Sequence, residues 1–365
     1  MYIKNLQLQN FKNYRNAEFT FDKQAIALFG KNGSGKTNVL DAIYYLSFTK
    51  STLNNPDAQN VCHGENYFVI KGEFERESKM HMVRCQFDGK KKLIEDDIEC
   101  TRFSNHIGRY PVVMIAPQDI TLIWEAGEGR RRFFDQWISQ INRQYIGNLV
   151  GYSYQLKQRN GLLKEAQFNG RIDLDLIASY NEKLIEHSEY IYNERKNFVL
   201  YLNPEFQKIY SWLCNSEETA EIVYRSQLDK DSIRKMFEVN LDREIAAGRT
   251  LSGIHLDEFQ FLLNNYEVRK TGSQGQQKSF LISLKVMELT QLKENIHFSP
   301  VVLLDDIFDK MDNDRISRFM ELLLSRNVDQ FLLTDANPER AMKIFNITNL
   351  DFRAFNIEKG TIHEQ

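Results

Sequence analysis

The stretch FGKNGSGKTN, Phe29 to Asn38, limits what this chain can fold into more than any other. Gly30, Gly33 and Gly35 fall within six residues and lead straight into Lys36 and Thr37. A helix or strand interior gains nothing from such a run, because glycine loses more backbone freedom on ordering than any other residue. Gly30, Lys31, Asn32, Gly33, Ser34, Gly35, Lys36 and Thr37 satisfy G-x-x-x-x-G-K-[ST] at every fixed position. The flanks agree: the apolar run AIALF leads in, and TNVLDAIYYL leads out with Val39, Leu40, Ile43 and Leu46 at helical spacing. A chance glycine turn would not come with a strand before it and a helix after it. The pattern predicts a backbone curled with its N–H groups inward around phosphates, at the positive end of a helix dipole. Lys36 is then expected on the β- and γ-phosphates of a nucleotide and the Thr37 hydroxyl on Mg²⁺.

Completing such a site requires carboxylates, and VVLLDDIFDKMD supplies them after four apolar β-formers, Val301 to Leu304. In an open α/β sheet ligands sit at the carboxyl ends of strands, which is where this run puts Asp305 and Asp306. Asp305 is expected to hold Mg²⁺ and Asp306 to polarise the attacking water. By itself the run also fits a strand followed by an acidic turn. A second glycine-containing helix start, TGSQGQQKSFLISLKVMEL, places Ser273 and Gly275 ahead of Phe280, Leu281, Leu284, Met287 and Leu289. It reads either as a plain helix cap or as another anion site.

The rest of the chain bounds the setting. Its 365 residues suffice for two domains, and with 42% hydrophobic and 27% charged residues it reads as a folded soluble chain. No apolar run approaches the roughly 18 residues of a membrane span, and MYIKNLQLQNFKNY lacks a signal-peptide core, so a cytoplasmic protein is expected. Cys62, Cys85, Cys100 and Cys214 make no CxxC pair, and the seven histidines show no i, i+4 ligand pairing. A net charge of -3 and a pI near 6.2 exclude a generally basic nucleic-acid binder, so any DNA contact must be local.

Strand-like runs fill the N-terminal part: YIKNLQLQNF, AEFTF, AIALF, then YFVIKGEFE and MHMVRCQFD with a turn at DGKKK. Beyond about Asp119 glycine becomes sparse, and DLDLIASYNEKLIEHSEYIYNERKNFVLYL sets Leu176, Tyr180, Leu184, His187 and Ile191 on one helical face. Its heptad-like regularity lasts a few turns, which suggests a short arm rather than a long coiled coil. PVVLLDD and DQFLLTD read as buried parallel strands. The expected fold is α/β, with a mixed-sheet head from residues 1–118 and 248–365 and an inserted helical arm at 119–247.

The segment at Ser273 resembles the signature of ABC and SMC-type ATPases, which would make the head an ABC/SMC-type ATPase head. A narrower resemblance follows. SQGQQKS, LLDDIFDKMD, GRRRFFDQW, YSYQLKQRNGLLK, TLSGIHLDEF and AFNIEKGTIHEQ occur in the order and spacing of the RecF family of bacterial recombination-mediator ATPases. LQLQNFKNYRNAEFTF is similar to its opening, and the likeness covers essentially the whole chain. The resemblance implies ATP-driven homodimerisation, slow hydrolysis that releases the dimer, and ATP-dependent binding of gapped or duplex-junction DNA. It also implies work with RecO and RecR in recombinase loading and SOS induction. The loop roles then fall on Asn32, Gly33, Gly35, Lys36, Thr37 and Asn38, and Ser273, Gly275 and Gln276 would act on the nucleotide of a second copy. Gln118 would sense Mg²⁺ and water, and Asp312 would face the partner. Thr334 stands where other ABC proteins place a switch histidine.

FTKSTLNNPD departs from the family, which commonly carries an arginine after the loop helix; Lys50 either does that work or it goes undone. For DNA, the candidates are Arg130, Arg131 and Arg132 beside Phe133, Phe134 and Trp137, the turn Gly89 to Lys92, and Lys157 and Arg159. No base-reading motif is present. The alternative function is a nucleic-acid-processing ATPase of the overcoming-lysogenization type, acting with a nuclease.

Overall fold

The computed structural model describes residues 1–53, 56–125, 127–308, 313–340, 342, 345 and 350–364. It divides into two compact units, residues 1–119 with 282–365, and residues 120–281.

The first unit opens with β1 (Tyr2–Phe11), β2 (Tyr14–Thr20), β3 (Ala25–Phe29) and helix α1 (Lys36–Phe48). It continues through β4 (Phe68–Arg76), β5 (Lys79–Phe87), β6 (Lys91–Glu95), β7 (Ile98–Glu99) and β8 (Val112–Ile115). The second unit holds α2 (Thr121–Trp124), α3 (Glu128–Ile141), α4 (Arg143–Asn169), α5 (Leu174–Cys214), β9 (Ala220–Arg225) and α6 (Ile233–Ala247). There follow β10 (Glu258–Leu263), β11 (Tyr266–Glu267), α7 (Val268–Thr271) and the start of α8 (Gln274–Asn295). The chain finishes in the first unit with β12 (Val301–Asp305), α9 (Asn313–Ser325), β13 (Phe331–Asp335), β14 (Phe352–Glu358) and β15 (Thr361–Glu364).

Two six-stranded sheets build the first unit, in the orders β2-β1-β4-β5-β6-β7 and β15-β14-β3-β13-β12-β8. The first is antiparallel; in the second only β15 runs against its neighbour. Every residue of β3, β12 and β13 is buried, as strands covered on both faces require, which is why their sequences are continuous apolar runs. Leu40, Ile43 and Leu46 of α1 share one core with Leu6 and Phe74 of the first sheet and Leu303 and Leu332 of the second. Burying each such side chain contributes about 1.5–3 kcal/mol, so the helix that starts at the glycine loop is fixed from both sides.

In the second unit α5 is 41 residues long, longer than the short arm expected, and α4 has 27. Side-chain caps start both: Asn142 accepts from the Tyr145 N–H and Asp173 from the Leu176 N–H. Leu184 and Ile191 are buried, whereas Leu176 is exposed. The unit is not wholly helical. Strand β10 pairs antiparallel with β9, Phe259 opposite Tyr224 and Phe261 opposite Ile222. Phe280, in the first turns of α8, packs on Phe206, Tyr210 and Phe261. These contacts hold residues 248–281 with the arm, so the chain returns to the head near Ile282 rather than at Gly248.

Candidate functional site

Strand β3 ends at Phe29, the loop turns through positive φ at Gly30 (146°), Gly33 (79°) and Gly35 (118°), and α1 begins at Lys36. The glycines answer to different demands. A Cβ on Gly30 would lie 2.3 Å from the Ile357 carbonyl oxygen and one on Gly35 would lie 2.4 Å from Asn13 Nδ2, while one on Gly33 meets nothing within 4 Å. Two of them let the chain pack on itself, and the third borders open space and is selected by its positive φ. The rim is braced by the segment after β1: Asn13 Nδ2 donates to the Ser34 carbonyl at 2.9 Å and Tyr14 OH to the Gly35 carbonyl at 3.1 Å. Asn38 Nδ2 donates to Asn13 Oδ1 at 2.7 Å, and the Gly360 N–H to the Ser34 carbonyl at 3.1 Å. Lys36 is buried, and its Nζ donates to the carbonyls of Gly30 (2.7 Å) and Lys31 (3.1 Å), across the bowl. Burial pushes its ammonium pKa down, and Asp306, Asp305 and Asp335 pull the other way.

Strand β12 lies between β13 and β8, with Asp305 opposite Thr334 and Leu304 opposite Ile115, so its carboxylates emerge at the same sheet edge as the loop. The Thr37 hydroxyl lies 2.9 and 3.0 Å from the two Asp305 oxygens, and Thr334 Oγ1 donates to Asp305 Oδ1 at 2.7 Å. Burial raises the Asp305 pKa, opposed by the two hydroxyls. Thr334 Oγ1 also accepts from the Asp306 N–H at 3.0 Å. Asp306 has φ of 46°, a left-handed conformation uncommon for a residue with a side chain, and its buried Oδ1 has no hydrogen-bond partner. Its pKa is raised by burial and by neighbouring Asp335. Gln118 is half-buried in the turn after β8, and the next residue, Asp119, fixes that turn by accepting the Ala116 N–H at 2.9 Å. Asp312 lies outside the described residues.

Two residues of the site are not evident from sequence. Asp335, fully buried at the end of β13, takes a bidentate pair from Arg340, Nε at 2.7 Å and Nη2 at 2.8 Å. The acid that closes FLLTD stands alone at its strand end, with no second acid to mark it, and nothing in the spacing points to Arg340. The donor set fits a hard cation: the Thr37 hydroxyl and both Asp305 oxygens are the oxygen ligands Mg²⁺ takes, and the space at Gly33 has room for a phosphate.

In the second unit Ser273 and Gln276 form a reciprocal cap on α8: the Ser273 N–H donates to Gln276 Oε1 at 2.8 Å and the Gln276 N–H to Ser273 Oγ at 3.2 Å. Ser273 is exposed, and Gly275 and Gln276 are half-buried. Gln277 is buried and serves as a pin, accepting from Trp124 Nε1 at 2.8 Å and donating to the Gly272 carbonyl at 3.0 Å.

Several DNA candidates are corrected. Arg130 is 3% exposed and spends its guanidinium on the carbonyls of Leu122, Ile123 and Phe259, above the Phe261 ring. Arg131 donates to the Asp257 carbonyl, and Phe133, Phe134 and Trp137 are core residues. Arg159 is fully buried against Glu244, Asn181 and Thr250. Backbone carbonyls hold Arg130 and Arg131, and the Glu244 carboxylate with Asn181 and Thr250 holds Arg159. Exposed Arg132 pairs with Glu128, and Lys157 and Lys90 remain exposed. In the segment after α1, Ser51 and Thr52 close on the buried Asp41 carboxylate, which also takes Lys12 Nζ at 2.6 Å.

The model of the AAA ATPase domain family matches residues 1–349 of the chain. The DNA replication and repair protein RecF of Flavobacterium johnsoniae is 39% identical over 359 residues, covering 98% of this chain and all of that protein. The RecF of Cytophaga hutchinsonii is 38% identical, covering all of this chain and 97% of that one. Among solved structures, the recombination mediator protein RecF-ATP of the RecFOR pathway superposes with a TM-score of 0.90 at 26% identity, over all of this chain and 97% of that one. The Smc head domain of Pyrococcus furiosus shares the fold, with a TM-score of 0.56 at 16% identity over all of this chain and 96% of that one.

Proposed function

The chain belongs to the RecF family of DNA replication and repair proteins and is built on an ATPase domain, and from that premise we propose that it is an ATP-gated DNA clamp. Two copies close on ATP, hold gapped or duplex-junction DNA without reading its sequence, and open on slow, DNA-stimulated hydrolysis. The observation that carries this reading is that Ser273 stands exposed at the capped start of α8, where a phosphate held by another copy can approach it.

Within one copy the loop amides and Lys36 neutralise the β- and γ-phosphates, with Lys31, Asn32, Ser34 and Asn38 completing the cradle. Thr37 and Asp305 would hold Mg²⁺, with Gln118 at the rim. The ion supplies charge neutralisation on the phosphate oxygens. Thr334 holds the Asp305 carboxylate by its hydroxyl and the Asp306 backbone by the same oxygen, so the two acids leave the end of β12 from a fixed start. Asp306 draws on the proton of the water that attacks the γ-phosphorus as the bond to the ADP oxygen breaks. Ser273, Gly275 and Gln276 of the second copy close over the γ-phosphate.

DNA is held through backbone phosphates by exposed lysines, Lys90 and Lys157 among them, so binding is salt-dependent and sequence-independent. The solved relatives are named for the RecFOR pathway, which supports RecO and RecR as partners in recombinase loading and SOS induction. No helix among the described residues is long and apolar enough to cross a membrane.

Sedimentation velocity with and without ATP and gapped duplex tests the clamp. The wild-type chain should shift from monomer to dimer with ATP and co-sediment with DNA, and Lys36→Ala should stay monomeric. A Lys36→Ala chain that dimerises normally with ATP contradicts the proposal.

A further inference from the structure

Asp306 holds an awkward position. Its backbone is left-handed, its Oδ1 is buried without a hydrogen bond, and the carboxylates of Asp305 and Asp335 both face it. Left to those repulsions, its side chain would turn away from the loop. Among the described residues, opposite charge reaches it from Lys36 and Arg340. Lys36 belongs to the phosphates. Arg340 does not: its Nε and Nη2 are clamped on Asp335, and the same Nη2 lies 3.7 Å from Asp306 Oδ1.

The clamp is itself built in. Asp335 Oδ1 also accepts the Asn337 N–H at 2.7 Å, and Asn337 Oδ1 accepts the Glu339 N–H at 2.9 Å and the Arg340 N–H at 3.4 Å. These consecutive turns bring the Arg340 side chain back to the end of β13. A planar guanidinium can bind one carboxylate by its edge and still present an N–H to a second, which an ammonium cannot do with the same geometry.

From this arrangement we infer that Arg340, anchored on Asp335, is a positioning residue for hydrolysis that holds the Asp306 carboxylate facing the γ-phosphate. It rests on the role given to Asp306 in the proposed function. It adds a residue outside the glycine loop, the β12 acids and the α8 cap, and it explains why Asp335 is buried there. Asp335 acts through Arg340 and touches no reacting atom.

Turnover and ATP affinity, measured separately, test it. In Arg340→Ala the turnover number should fall by about 10- to 100-fold, the scale expected when a reacting group is misplaced by about 1 Å, while the Kd for ATP stays within threefold. Arg340→Lys should remain at the alanine level. Asp335→Asn should match Arg340→Ala, and the double variant should be no slower than the slower single one. Wild-type turnover in Arg340→Ala, full recovery in Arg340→Lys, additive losses in the double variant, or equal losses of affinity and turnover would each overturn the inference. ATP binding by each variant reports that it is folded, and Arg340→Lys, the milder change, carries the test if the alanine variant does not fold. Asp306→Asn separates the two claims: if it turns over normally, the role of Asp306 itself is wrong, whereas a dead Asp306→Asn beside a fully active Arg340→Ala removes Arg340 alone.

Discussion

Thr334 is one hydroxyl between two acids: it donates to Asp305 and accepts from the Asp306 N–H. Valine at this fully buried site keeps the shape and deletes both bonds. Because the Asp306 N–H keeps the Thr334 carbonyl and Asp305 Oδ1 keeps the Thr37 hydroxyl, Thr334→Val is expected to cost about 0.5–1.5 kcal/mol, the range for a lost hydrogen bond, and to slow turnover as Asp305 loses one of its two anchors. Denaturant midpoints and ATPase assays check both, and a variant matching wild type in each would show the hydroxyl to be dispensable. At this scale the sequence is most legible where a covalent pattern carries the chemistry. Gly30 to Thr37 and Asp305–Asp306 announce themselves because loop curvature and strand-end placement are local properties. Asn13, Asp335 and Arg340 do not, because their partners are brought together only by folding: the Asn13 amide reaches Ser34, and Arg340 reaches an acid through an intervening turn.

Among the elements of the second unit, three runs that mark the family resemblance meet one another. Asp135 of GRRRFFDQW, Asp257 of TLSGIHLDEF and the Ile254 carbonyl all take the buried Arg195 guanidinium. Arg159 of YSYQLKQRNGLLK takes Thr250 and, at 2.6 Å, Glu244, both fully side-chain buried at the ion pair. These ties join α3, α4, α5, α6 and the segment before β10. Clustered arginines beside aromatics read equally as a phosphate clamp or a buried brace from sequence, and burial alone separates them. Breaking a buried pair strands a charge, so Arg159→Met should destabilise the chain by about 3–5 kcal/mol. Arg159→Met with Glu244→Gln should recover at least half of that loss, since the glutamine keeps an acceptor for the Leu251 N–H now bonded to Glu244. Chemical denaturation measures both; an Arg159→Met chain within about 1 kcal/mol of wild type would show the pair to be inert.

For the whole molecule, a net charge of -3 leaves the proposed DNA binding to local groups, and the loss of Arg130 and Arg159 to the interior narrows them further. The α/β class is readable from the strand–loop–helix start and the apolar runs of β12 and β13. The unit boundary is not, because β10 belongs where its hydrogen-bonding partner β9 lies, a non-local fact that turn residues after Gly248 do not encode. What a single chain presents is a glycine loop with its acids, and separately an exposed α8 cap. In the proposed clamp the cap of one copy completes the cradle of another, and mixing two inactive variants probes that dependence without an intermediate step. Lys36→Ala and Ser273→Arg should each be inactive alone, yet an equimolar mixture should regain up to about half of wild-type ATPase, because neither variant closes on itself and each mixed dimer holds one intact site of two. A mixture as inactive as its components would mean that each chain completes its own site, and would contradict the clamp.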